Sequence, residues 1–162
     1  MKRFGFTALI LFIASYASAY PTVGDKVTWN GTVNMVDGTK EEIKITKEVL
    51  AFNKDTRKWT VKYEADIGKD RTSKISEVED LYSPDRYKEI LASCVEKGGI
   101  LEDITTSVGM YKTCKLTSIG SDGSIVEKWW GNLPFGVVSR KTQDASSQIA
   151  KRPDLNSILT GL

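Results

Sequence analysis

The chain of 162 residues contains no histidine. Ser-His-Asp and Cys-His catalysis both need an imidazole base, and His-based zinc sites need it as a ligand, so all three are excluded. Cysteine is almost as scarce, with two residues, Cys94 and Cys114. Their spacing is far from Cys-x-x-Cys and no obvious activator lies near either, so a redox-active pair does not fit. Long apolar runs are missing beyond the first residues, so no integral membrane segment is expected in the remainder. Neither a calcium-loop spacing, a phosphate-cradling Gly loop nor a Gly-x-Ser-x-Gly elbow is present. No catalytic residue, metal or cofactor is assigned, and the chain is read as a non-enzyme.

The one apolar run, Phe4 to Ala14, follows Lys2 and Arg3 and precedes Ala17-Ser18-Ala19. A basic start, a short apolar run and a small-x-small site read as a signal peptide over residues 1–19, cleaved near Ala19. The protein is therefore expected to be exported, periplasmic or extracellular. Removing Lys2 and Arg3 from the 23 basic residues leaves 21, against 21 acidic residues. A formally neutral domain exerts no long-range pull on phosphate backbones, which argues against nucleic acid as a partner.

Two cysteines in an exported chain are expected to pair, with two buried free thiols as the alternative. A Cys94–Cys114 bridge closes a loop of about 20 residues, worth roughly 3 kcal/mol in the chain-entropy model. Cys94 falls on a predicted helix. Ser83 is a good N-cap, Pro84 takes the first helical position, and Tyr87, Ile90, Leu91, Cys94 and Val95 make one apolar stripe. Gly98-Gly99 is read as the stop, giving a helix over about 84–97. Cys114 falls mid-strand, so the bridge would staple helix to sheet.

The rest reads as short strands between turns. Asn30-Gly31 is a hairpin turn or a bulge, and Asn30-Gly31-Thr32 also matches a glycosylation acceptor. Asp37-Gly38 is a stronger turn signal. Ile43 to Phe52 forms one strand or two, and Trp59, Val61 and Tyr63 alternate with Thr60, Lys62 and Glu64. Arg71 to Val78 suits a polar edge strand. Met110 to Ile119, Ile125 to Trp130 and Phe135 to Ser139 complete an antiparallel series in residues 20–141. The polar tail, 142–162, carries an apolar patch at Leu155, Ile158, Leu159 and Leu162 that would suit a short docked helix or fray.

Carboxylates come close at Glu41-Glu42, Glu77, Glu79 and Asp80, and Glu102-Asp103. Chain neighbours on a strand point to opposite faces, so they do not make a facing catalytic pair and read as solvated surface charge. The aromatic residues are more informative. Trp29, Trp59, Trp129 and Trp130 all fall on predicted strands, and a regular strand sends one of Trp129 and Trp130 inward and the other outward. An outward Trp marks either a partner or ligand surface, or a place at a sheet edge or under the C-terminal tail.

Gly109 to Lys115, then Trp129-Trp130 and Leu133-Pro134-Phe135-Gly136-Val137-Val138, resembles the C-terminal half of exported bacterial proteins of the half-barrel superfamily of lipoprotein carriers (LolA/LolB-like) and related periplasmic domains. The resemblance implies a curved antiparallel sheet or half-barrel wrapped round a helix, with an apolar cavity for acyl chains. The expected class is thus mainly β (α+β), with one main helix packed on the sheet. The expected function is binding of an apolar ligand, a lipid or acyl chain, by Trp29, Trp59, Tyr87, Ile90, Leu91, Trp129, Trp130 and Phe135. The alternative is a fully packed interaction domain whose partner is an envelope protein or a surface polymer.

Overall fold

The computed structural model describes residues 20–35, 37–121 and 123–143. Residues 1–19, read above as a signal peptide, and the tail from residue 144, with the apolar patch read there, lie outside the described residues. The class is as expected: mainly β, antiparallel, with one short helix. The strands form two open four-stranded meanders. β1 (Lys26–Asn34), β2 (Lys40–Asn53), β3 (Lys58–Ile67) and β4 (Asp70–Val78) make the first sheet. The helix α1 (Pro84–Ala92) follows. β5 (Ile100–Thr106), β6 (Gly109–Ile119), β7 (Ile125–Trp130) and β8 (Val137–Gln143) make the second.

Each strand pairs with its chain neighbour, and the register decides which side chains share a face. In the first sheet Trp29, Ile45 and Ala65 stand abreast, as do Val27, Lys47 and Tyr63. Val49 faces Val61, and both are fully buried. That face is the inner one. The opposite face carries exposed ion pairs, Lys26 with Glu48, Lys62 with Glu64 and Arg71 with Asp66, which add little stability each. A bulge between Val49 and Ala51 lets Phe52 stand beside Trp59.

Asn30-Gly31 is neither a turn nor a bulge. Both residues pair regularly inside β1, with Lys44 and Ile43. Keeping Val27, Trp29 and Val33 on one apolar face outweighs the local turn preference. The hairpin closes instead at Asp37-Gly38, where Gly38 has φ +82° and the Asp37 carboxylate accepts from the Thr39 amide and hydroxyl. Ile43 to Phe52 is a single strand.

The helix starts as its sequence dictates. The Ser83 hydroxyl accepts from the Arg86 amide at 3.2 Å, Pro84 opens the first turn and Asp85 sits near the positive end of the dipole. It ends at Ala92, short of the expected residue 97. Ser93 donates its amide and its hydroxyl to the Glu89 carbonyl, and the steps then become irregular: three residues for Cys94 N–H to Leu91 O and Gly98 N–H to Val95 O, four for Lys97 N–H to Ser93 O and five for Gly99 N–H to Cys94 O. Cys94 therefore lies just past the helix, and Val95, expected on the apolar stripe, is 70% exposed. This irregular turn holds Cys94 against Cys114, Cα to Cα 5.8 Å, in a disulfide that ties the helix region to β6. Ile90 and both cysteines form a buried cluster under Tyr82, Leu91, Leu116 and Trp130. Among the described residues no helix is long and apolar enough to cross a membrane.

Candidate functional site

The inner row of β2 reads Ile43, Ile45, Lys47, Val49, four positions in phase with each other. A lysine thus occupies a place that the pattern reserves for an aliphatic side chain. Lys47 is 5% exposed. Its ammonium lies 5.0 Å from the centre of the Tyr63 ring, its neighbour on β3, and 5.7 Å from that of Phe135, which belongs to the second sheet. Aromatic faces partly replace the water that a buried ammonium loses. They do not replace all of it. Burial pushes the Lys47 ammonium down to about 8, helped by the positive charges of Lys128 and Arg140.

Lys128 and Arg140 stand directly opposite one another on β7 and β8. Lys128 shares its face with Val126 and Trp130, and its ammonium lies 5.9 Å from the centre of the Trp130 ring. Burial, then Arg140, holds Lys128 below the usual lysine range, and burial does the same to Arg140. Arg140 Nε is buried with no hydrogen-bond partner among the described residues. Three cations from two sheets therefore face one space.

Aromatic groups frame that space and hold the sheets together. Trp29 Nε1–H donates to the Val137 carbonyl at 2.6 Å, sheet to sheet. Tyr20 donates its hydroxyl to Asn132 Oδ1 at 2.5 Å, and its ring is parallel to that of Tyr82, centroids 6.4 Å apart. Tyr82 in turn stacks on Trp130 at 5.7 Å. Burial raises the Tyr82 phenol and pushes that of Tyr20 up to about 12. Tyr82 Oη is the second buried polar atom with no hydrogen-bond partner among the described residues.

Phe135 is aimed by its backbone. It was expected to open a strand, yet it lies in the β7–β8 turn with φ +64°, and Gly136 follows at +76°. A left-handed Phe costs on the order of 1–2 kcal/mol. Gly136 is there for a further reason: a Cβ would stand 2.6 Å from the Tyr82 ring.

The expected site residues divide. Phe135 and Trp130 stand beside Lys47 and Lys128, Trp29 packs on Ile45 and Ala65 and reaches the Val137 carbonyl, and Ile90 and Leu91 adjoin Trp130 through the disulfide cluster. Tyr87 lies at the helix flank, its hydroxyl donating to the Lys112 carbonyl at 2.9 Å. Trp59 stands apart, tilted against Phe52 with centroids 4.4 Å apart. Trp129 is on the opposite face, where its Nε1–H meets Glu102 Oε1 at 2.5 Å and Lys115 lies over its ring. Trp130 is therefore the inward member of the pair. Lys47, Lys128 and Arg140 escaped the sequence reading, although two left a trace: Lys47 in phase with Ile45 and Val49, and Lys128 between Val126 and Trp130.

No protein-family model matches the chain, nor does any curated protein or solved structure.

Proposed function

We propose that this is an exported, non-enzymatic binding domain that takes an apolar ligand, a lipid or acyl chain, between its two sheets beside the helix. Export follows from the signal-like residues 1–19 and accords with the disulfide. The observation that carries the binding reading is the state of the aromatic side chains. The largest side chains that are fully buried are valines. Trp29, Tyr63, Tyr82, Trp130 and Phe135, all on the inner side, are only half-buried. A packed interaction module would seal such rings at interior density. Here they offer apolar area that a ligand would cover, at about 0.8 kcal/mol gross per methylene group before ordering costs. This reading also agrees with the resemblance to half-barrel carriers.

Native mass spectrometry of the oxidised protein, exported and purified without detergent, tests it. The expected result is an added mass that solvent extraction removes, or uptake of added dodecanol with a change in Trp fluorescence. A bare polypeptide mass with no uptake would leave the alternative, an envelope interaction domain. Val108 and Met110, 80% and 72% exposed at the β5–β6 turn, would then be the first surface to examine.

A further inference from the structure

Four cations on the outer faces pair with carboxylates: Lys26 with Glu48, Lys62 with Glu64, Arg71 with Asp66 and Lys115 with Glu127. Lys128 and Arg140, on the inner face of the second sheet, are arranged differently. Lys128 and Arg140 are placed opposite each other across β7 and β8, and Lys47 reaches towards them from β2. Like charges directly opposite on a sheet destabilise it, and loss of water makes the repulsion stronger. Lys128 and Arg140 make no ion pair among the described residues, and Arg140 Nε is a buried donor left over. Such an arrangement is unfavourable in the protein alone and favourable round a negative charge. A guanidinium fork and two ammonium groups suit the oxygens of a carboxylate or phosphate, since charge-assisted bonds are the strong ones.

Resting on the apolar-ligand reading above, we infer that Lys47, Lys128 and Arg140 bind an oxyanion, and that the ligand is an anionic amphiphile held by its head group there. The half-buried rings of Phe135 and Trp130 adjoin Lys47 and Lys128, and Trp29 reaches the same turn through the Val137 carbonyl, so head and chain would occupy one continuous surface. Aromatic rings stand beside both ammonium groups, Tyr63 and Phe135 by Lys47 and Trp130 by Lys128. Neutralisation by the head group would relieve the repulsion.

The experiment compares dodecyl phosphate and laurate below their micelle concentrations, dodecanol below its solubility limit, and inorganic phosphate, by calorimetry on the oxidised protein at pH 7 and low salt. Both C12 anions should bind at least about ten-fold more tightly than the alcohol. Lys128→Gln and Arg140→Gln should each remove roughly ten-fold of the preference for anion over alcohol, with unchanged near-UV circular dichroism reporting that the variants are folded. Equal binding of alcohol and anions overturns the oxyanion site and leaves the apolar-ligand reading standing. Binding of inorganic phosphate with no C12 compound bound overturns the head-group assignment and the apolar reading together. Unaltered anion preference in both variants also overturns the assignment.

Discussion

Replacing Lys47 with Met should make the protein more stable at neutral pH, and the gain should vanish as pH rises. The Lys47 ammonium titrates at about 8 in the folded protein, against an ordinary 10.5. At 1.36 kcal/mol per unit, that difference amounts to about 3 kcal/mol of destabilisation by the charged form. Contacts with the Tyr63 and Phe135 rings return about 0.5–2 kcal/mol of it. Met keeps the unbranched stem and discards the charge, so a net gain of about 1–3 kcal/mol is expected at pH 7. The sign with pH follows from proton counting. Below pH 8 both states hold the proton and the penalty is constant. Between about 8 and 10.5 the unfolded state binds more protons, so wild-type stability rises with pH. Tyr20, Tyr63 and Tyr82 act oppositely. Their raised phenols stay protonated when folded, so stability falls again once unfolded tyrosine ionises above about 10. Urea unfolding of both proteins at pH 7, 8, 9 and 9.5, with the disulfide intact, tests this. The two curves should converge as pH rises. Parallel curves, or a less stable Lys47→Met at pH 7, would refute the account of Lys47 as a buried, desolvated cation.

Joint replacement of Cys94 and Cys114 by Ala reopens a 20-residue separation and should cost roughly 3 kcal/mol, read from the urea midpoint. Gly136→Ala places a Cβ 2.6 Å from the Tyr82 ring at a left-handed φ, so a loss above about 1 kcal/mol is expected, with an altered near-UV signal as Tyr82 shifts on Trp130. Trp29→Phe removes the donor to the Val137 carbonyl and should cost about 1 kcal/mol or more, with faster amide exchange in β8 as the accompanying sign.

Local chemistry was legible in the sequence wherever one stretch carried the whole signal. Ser83-Pro84 began the helix, Asp37-Gly38 made its turn, and Trp59, Val61 and Tyr63 alternated in the strand that holds them. The bridge between Cys94 and Cys114 followed from an expected export and from there being two cysteines. What failed depended on partners distant in the chain. Asn30-Gly31 looks like a turn until Lys44 and Ile43 are known to lie beside it. Val95 fits the helical stripe until Cys94 has to leave the helix to reach Cys114. The three cations were hidden for the same reason. Period two tells which residues share a face with Lys47, Lys128 or Arg140, but not that those faces point at each other across two sheets.

The strict neighbour-to-neighbour order of the strands has a kinetic consequence. Every strand pairing is a hairpin between consecutive strands within its own sheet. Little loop entropy is lost at each step, so either meander can assemble quickly for a β structure. The slow event is then the meeting of the two sheets, when Trp29 reaches Val137 and Lys47 must shed its water against Phe135. An anion present at that moment would lower the barrier as well as stabilise the product, so refolding in phosphate should be faster than refolding in chloride of equal ionic strength.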